Sequence, residues 1–208
     1  MAIKKYLTIF AILVIFFSGQ LVASPKWTLE GGAGLFYPED DAWSTHYGND
    51  KMLEGGISFA RRFLSVIDAG FSVSYSQDIG KASLSSTGEQ VGKVTYEKAP
   101  VDVYLLFRAR FSENQWVVPY IGGGYTHLLY RQTIEGQGRT QGSSGGEHVR
   151  AGLQILLDPF ERDSSRSMFV NYGVINSYFF LEGKQTTIDI NNSELGGISY
   201  RVGVLLEY

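Results

Sequence analysis

The sequence predicts an all-β fold, an eight-stranded antiparallel transmembrane β-barrel preceded by a cleavable signal peptide. Three observations lead to this prediction. Apolar and polar residues alternate with a period of two in segments of about ten residues. The connections between these segments are short on one side and long on the other. The first residues have the organisation of a secretory signal.

The N-terminal residues 1–23 are predicted to be the signal peptide. Lys4 and Lys5 supply the positive start, Tyr6 to Phe17 is an almost entirely apolar run, and Ala23 offers a small residue at the cleavage point. The run is shorter than the roughly 20 residues that cross a bilayer. We therefore expect cleavage rather than a retained anchor, which leaves residues 24–208 as the barrel domain.

The composition favours strands and argues against several other classes of protein. The 208 residues include 25 Gly, 13 Tyr and 13 Phe but only 5 Pro, a mixture suited to strands and tight turns. A net charge of −3 is unlike that of a general nucleic-acid binder, so no nucleic-acid partner is expected. Exported domains commonly carry disulfides, and this chain has no Cys. A closed barrel needs none, because its hydrogen-bonded wall has no open edge.

Eight segments are predicted to be strands. Four alternate clearly, and four are weaker because glycines or a loss of phase interrupt them. The facing of residues 117–130 and of the end of 168–181 stays open. In chain order the segments are 27–37, 53–63, 67–75, 99–111, 117–130, 148–157, 168–181 and 198–208.

The connections sort by length, which is the pattern of a transmembrane barrel and not of a soluble one. The short connections are predicted near Leu64-Ser65, at 112–115 and at 158–167. The long polar connections are predicted at 39–51, 76–98, 132–146 and 182–194.

The two faces of the predicted strands differ in a way that places the apolar face in lipid. This face carries aromatic residues toward the segment ends, where amphipathic rings suit membrane interfaces. They are Trp27, Tyr37, Phe63, Tyr75, Phe111 and Tyr208.

The opposite face predicts a network of charges in the lumen. Eight strands leave an interior barely wide enough for side chains, so we expect ion pairs in a packed interior. A gate or a selective pore is the alternative. The residues are Glu30, Glu54, Arg62, Asp68, Asp102, Arg108, Arg110, Arg150, Arg201 and Glu207.

The second hairpin predicts one specific pair. If the turn is centred on Ser65, Phe63 lies opposite Ile67 on the lipid face. One step further, Arg62 then lies directly opposite Asp68 on the lumen face, close enough to form a salt bridge.

The last eight residues resemble the C-terminal signal of bacterial outer-membrane barrels. A polar residue, a glycine two positions on, an apolar residue third from the end and a terminal aromatic make up this pattern. Arg201, Gly203, Leu206 and Tyr208 carry it here. The resemblance implies that the barrel-assembly machinery recognises this strand during insertion.

Two further strings resemble the outer-membrane protein W family, within the broader group of small barrels similar to outer-membrane proteins A, X and W. They are Val118 to Tyr125 and the Ala99-Pro100 start of the fourth strand. The resemblance implies the outer membrane of a Gram-negative bacterium, both termini in the periplasm, and contacts with outer-membrane lipids and lipopolysaccharide. For W-type members it also implies a narrow passage for small apolar molecules that opens sideways into the membrane.

Three functions are compatible with these features of the sequence. The first is a non-enzymatic, porin-like barrel that passes or binds a small apolar solute. The second is a structural or surface-adhesive barrel acting through its external loops. The third is a lipid A-modifying enzyme, which requires a serine held by a histidine that an acid orients.

No catalytic, cofactor or metal residue is predicted. Ser44 and His46 lie near Asp40 and Asp41 in a loop, and Ser143-Ser144 and Glu147 precede His148, but neither string matches a catalytic motif. With His127 the chain has three histidines, and none has metal-ligand spacing.

The glycine runs predict loops and close packing rather than a phosphate site. The run 136–146 lacks the spacing of a phosphate loop and is interpreted as a flexible external loop. Glycines inside the strands, at 31–32, 55–56 and 122–124, are expected to permit barrel bending or close packing of lumen side chains.

Overall fold

The computed structural model describes residues 27–39, 43, 47, 50–63, 66–83, 90–112, 115–136, 138–190, 193–194 and 196–208. Several sequence predictions fall outside these described residues. They concern the signal peptide, the turn at Leu64-Ser65, and the candidate residues Asp40, Asp41, Ser44 and His46.

Alternating residues build eight strands that close into one antiparallel barrel, so the predicted fold is confirmed. The strands are β1 (Trp27–Pro38), β2 (Met52–Phe63), β3 (Ile67–Ser83), β4 (Gln90–Arg108), β5 (Val117–Ile134), β6 (Gly138–Leu156), β7 (Asn176–Thr187), β8 (Asp189–Ile190), β9 (Ser193–Glu194) and β10 (Gly197–Glu207). Their order around the barrel is β1-β10-β7-β6-β5-β4-β3-β2, and a short ladder of β8 with β9 is separate.

The first and last barrel strands close the wall. Their register runs from Thr28 opposite Glu207 to Pro38 opposite Gly197. We call the end of the barrel at Trp27 and Tyr208 the terminal rim, and the opposite end the distal rim. The backbone amides of Trp27 and Tyr208 each donate to the other residue's carbonyl, at 3.0 and 2.8 Å, so pairing continues to the terminal rim.

The two faces of the wall are inverted relative to a soluble protein. Outward side chains such as Ile57 and Val103 are each 63% exposed, whereas the inward Arg108 and Glu207 are fully buried. Apolar atoms outside and ionised groups inside are the arrangement of a transmembrane barrel, because only lipid makes such an outer surface favourable. We call the outward apolar surface the lipid-facing belt.

The strand whose facing stayed open, β5, follows the same alternation. Ile121, Tyr125 and Leu129 face outward, while Tyr120 and Thr126 face the lumen and are buried. Its glycines allow the strand to pass close to its neighbours. A Cβ at Gly124 would lie only 1.9 Å from the Val103 carbonyl oxygen.

The predicted strand at residues 168–181 is wrong in its first half. Residues Arg162–Tyr172 form a helix, α1, and β7 begins only at Asn176. The helix ends at Gly173, whose φ of 72° is left-handed and whose amide donates to the Phe169 carbonyl, while the next amide, that of Val174, donates to the Met168 carbonyl. The short connection predicted at 158–167 is therefore part of a longer, helical one.

The long connections at 76–98, 132–146 and 182–194 are also corrected, because strands extend far into each. β3 continues to Ser83, and β5 and β6 run through the predicted glycine loop with only 135–137 between them. Backbone pairing continues beyond the belt, where apolar residues lie on both faces among polar ones, Ile79 outward and Val94 and Tyr96 inward, so hydrophobicity no longer alternates between the faces. In the described part of the chain, no helix is long and apolar enough to cross a membrane.

Candidate functional site

The lumen is filled by charged side chains in three layers. All ten residues of the predicted charge network lie inside the barrel and are buried. The structure adds Glu182, Lys98, Lys184 and His148 to the buried set. These four fell in predicted loops or at a strand start, and the alternation of β4, β6 and β7 turns each of them inward.

The layer nearest the terminal rim, the terminal layer, is organised around Glu207. Its carboxylate lies 2.7 Å from Arg62 Nη1, 3.0 Å from Arg108 Nη1 and 2.7 Å from Arg110 Nη1. Asp68 pairs with Arg62 Nε at 2.9 Å and with Arg108 Nη1 at 3.2 Å. Three guanidiniums thus share two carboxylates, so that each buried guanidinium has a carboxylate partner although the layer carries one excess positive charge.

The middle layer is organised around Glu182 of β7. Its Oε2 lies 2.5 Å from Arg150 Nη2, and its Oε1 lies 2.6 Å from Arg201 Nη2. The Tyr120 hydroxyl donates to Oε2 at 2.9 Å. Glu30 lies at the edge of this layer, 3.8 Å from Arg150 Nη2. One carboxylate therefore holds two arginines from different strands.

The distal layer combines two lysines with two carboxylates. Asp102 accepts hydrogen bonds from Lys184 Nζ at 2.9 Å and from the hydroxyl of Thr126 at 2.8 Å. Lys98 Nζ lies 3.5 Å from Glu54 Oε2. The space left among these groups is about 10 Å³, enough for about one water molecule.

An aromatic cluster lies above the distal layer, inside the distal rim. Tyr47 and Trp43, from the connection between β1 and β2, stack with ring centroids 4.1 Å apart. Tyr96 meets Trp43 edge-on at 5.0 Å, and the cluster packs on Phe36 and Met52. Burial raises the pKa of Tyr47 to about 12, so its hydroxyl is neutral at ordinary pH.

A hydroxyl, an imidazole and a carboxylate meet in the distal layer, but in an order that does not suit catalysis. Thr126 Oγ1 lies between His148 Nδ1, at 2.9 Å, and Asp102 Oδ1. In a hydrolytic triad the acid contacts the histidine and the histidine contacts the hydroxyl. Here the acid contacts the hydroxyl instead, so it cannot orient the imidazole as a base.

The other sequence candidates do not come together. Glu147 is exposed and faces outward, opposite to its neighbour His148, and Ser143 is exposed as well. His127 is exposed on the outer wall. Among the residues that the structure describes, no group of His, Cys, Asp and Glu is arranged to hold a metal ion.

Comparisons with solved structures find small outer-membrane barrels. Ail of Yersinia pestis is 15% identical, with 90% of this chain and 100% of that chain covered and a TM-score of 0.51. OprG of Pseudomonas aeruginosa is 10% identical, with 89% and 96% covered and a TM-score of 0.58. Neisserial surface protein A is 13% identical, with 89% and 98% covered and a TM-score of 0.51.

These likenesses confirm the predicted resemblance at the level of the fold. The sequence itself matches no protein-family description and no curated protein.

Proposed function

We propose that this chain is a closed, non-enzymatic barrel of a bacterial outer membrane, inserted with both termini in the periplasm. In this proposal it acts through the distal rim, which faces the cell surface. The observation that carries the proposal is the filled lumen, where three ion-paired layers and an aromatic cluster occupy successive levels.

The filled lumen supports the surface-acting function over the passage of small apolar molecules. An apolar solute entering along the axis would have to separate Glu182 from Arg150 and Arg201, then Glu207 from its three arginines. Separating a buried ion pair leaves charges uncompensated and costs about 3–5 kcal/mol. The solute offers no polar group to replace the lost contacts.

The shape of the distal rim supports the same proposal. β5 and β6 remain paired up to Ile134 and Gly138, well past the last apolar outward residues of these two strands, and they carry exposed polar groups such as Thr133 and Thr140. Projecting hairpins of this kind present side chains to a partner outside the membrane. Ail, by its name an attachment invasion locus protein, has the same fold.

The proposal is tested by conductance in planar bilayers and by uptake of an apolar dye into liposomes. We expect neither activity to exceed that of protein-free membranes. A variant lacking the aromatic cluster, Trp43→Ala with Tyr96→Ala, should show equally little conductance and dye uptake, because the three charged layers remain. Stepwise currents or accelerated uptake by the unmodified chain would contradict the closed lumen.

A further inference from the structure

A pocket of about 460 Å³ lies on the outer wall of the barrel, across β3, β4, β5 and β6. Its volume is in the range of small-molecule sites, about 300–1,000 Å³. The polar side chains that line it include Tyr75, Glu97, Arg131, Arg139 and Gln141. None of these five residues belongs to the three lumen layers or to the aromatic cluster, and the pocket borders the lumen only at Lys98 of the distal layer and at Tyr130, which packs against the cluster.

The polar side of the pocket is a row across three strands. Glu97 lies opposite Arg131, and Arg131 lies opposite Gln141. The Glu97 carboxylate accepts a hydrogen bond from the Tyr75 hydroxyl at 2.8 Å and pairs with Arg131. Arg139 Nη2 donates to Gln141 Oε1 at 2.7 Å. Two guanidiniums and one carboxylate leave the row with one excess positive charge.

The other side of the pocket is apolar and continuous with the lipid-facing belt. Ala99 and Leu129 line it, and Leu129 is 46% exposed. Further along the same strands the outward residues are Val103, Leu105 and Ile121, each at least 60% exposed. The pocket therefore spans the level where hydrocarbon gives way to headgroups.

We propose that this pocket binds the phosphorylated headgroup of an outer-leaflet glycolipid. Arg131 and Arg139 contact the phosphate, because guanidiniums match phosphate oxygens with paired hydrogen bonds. Gln141 and Ser143 face the sugar hydroxyls, and the acyl chains lie along Leu129 and the belt. This site rests on the proposed orientation, with the distal rim at the outer leaflet.

The sugar is part of the proposal because the pocket offers more than two cations. Arg131 already has a carboxylate partner in Glu97, so a bare phosphate must compete with that ion pair. A headgroup that also bonds Gln141 and Ser143 through sugar hydroxyls recovers hydrogen bonds that a glycerol phosphate does not reach. The expected order of affinity is phosphorylated glycolipid, then phosphatidylglycerol, then inorganic phosphate.

Native mass spectrometry of the refolded barrel in detergent tests this order, with bisphosphorylated lipid A as the probe. We expect lipid A adducts to exceed those of its dephosphorylated form by about tenfold for each charge-assisted pair lost. They should also exceed those of phosphatidylglycerol and of inorganic phosphate, which keep the charge but lack the sugar hydroxyls. Equal binding of dephosphorylated lipid A would overturn the phosphate contact. Equal binding of phosphatidylglycerol would overturn the glycolipid assignment.

Variants locate the site. Arg131→Gln combined with Arg139→Gln should lose lipid A binding, whereas Arg61→Gln should not. Arg61 is a matched control, because it also lies on the outer wall but near the terminal rim, 5.2 Å from the Trp27 ring. Glu97→Gln should bind lipid A more tightly, since it frees Arg131. If the Glu97–Arg131 pair had a purely structural role, Glu97→Gln would not increase lipid A binding.

Retention of wild-type adducts by the double variant, or equal loss in Arg61→Gln, would overturn the site. Each variant must first show the gel shift of a folded barrel, so misfolding is not mistaken for lost binding. The assay is independent of insertion direction in cells. Failure here therefore leaves the proposed surface function to be judged by its own experiments.

Discussion

The guanidinium of Arg62 and the carboxylate of Asp68 face each other across the β2–β3 hairpin, with Nε and Oδ1 2.9 Å apart. The register that places them opposite each other also places Phe63 opposite Ile67, as the sequence predicts. The structure makes this pair part of a larger group, since Arg62 also contacts Glu207 and Asp68 also contacts Arg108.

Asp68→Asn should destabilise the barrel, because it removes a buried negative charge that two arginines share. Adding Arg62→Gln should recover part of the loss, and a double-mutant cycle in urea should give a coupling of about 0.5–3 kcal/mol. The control pair Asp68→Asn and Lys184→Gln, whose residues belong to different layers, should be additive. An additive result for Arg62 and Asp68 would reject the pairing.

Glu182→Gln should destabilise the barrel more than Glu30→Gln does. Glu182 holds two arginines and a tyrosine hydroxyl, whereas Glu30 is only loosely paired with Arg150 at 3.8 Å. Losing the negative charge of Glu182 leaves the buried guanidiniums of Arg150 and Arg201 without the carboxylate that they share, at a cost of about 3–5 kcal/mol. The urea midpoints of the two variants in the same detergent give the comparison, and equal midpoints would contradict the central role of Glu182.

The fold and much of the lumen were predictable because period-two alternation decides which side chains point inward. Glu30, Arg150 and Glu207 needed only that rule. Glu182 was missed because alternation of hydrophobicity ends near Leu181. The available signal is that Glu182, Lys184 and Thr186 continue the inward-facing, every-second-residue positions of β7, and all three are buried.

Other features depend on contacts that no local pattern records. The aromatic cluster joins Tyr47, from a connection, to Tyr96 of β4 and Phe36 of β1, which are distant in sequence. Helix α1 has no buried residues, so no packed face distinguishes it from the alternating segment Met168 to Val174. Beyond the belt the strands are extended by backbone hydrogen bonds. A largely polar sequence is compatible with such pairing but does not require it, so the strand ends carry no sequence signal.

The folded chain should migrate as a compact band in unboiled detergent gels and shift on boiling. The closed hydrogen-bonded wall resists detergent at room temperature and unfolds only on heating. Val204→Pro should abolish the compact band, since a proline within β10 removes a bond of the ladder that closes the barrel. Recovery of the unmodified chain as a soluble periplasmic protein without a shift would count against the membrane barrel.

Tyr208→Ala should lower assembly into the outer membrane, measured as the folded fraction in a pulse-chase. The substitution leaves the backbone bonds between Trp27 and Tyr208 in place, so a loss points to recognition of the terminal aromatic. Tyr200→Ala is the control, because Tyr200 is also an outward aromatic residue of β10 but lies near the distal rim, far from the C-terminal end of the strand. Unchanged levels for Tyr208→Ala would reject the assembly signal.

The direction of insertion can be read from single cysteines, because the natural chain has none. Thr140→Cys lies on the exposed part of β6 at the distal rim, and Ser164→Cys lies on exposed α1 at the terminal rim. If the termini are periplasmic, a membrane-impermeant maleimide labels Thr140→Cys in intact cells and leaves Ser164→Cys unmodified. Permeabilised cells should label both, which shows that each thiol is reactive. The reverse pattern would place the distal rim in the periplasm and remove the basis for a surface function.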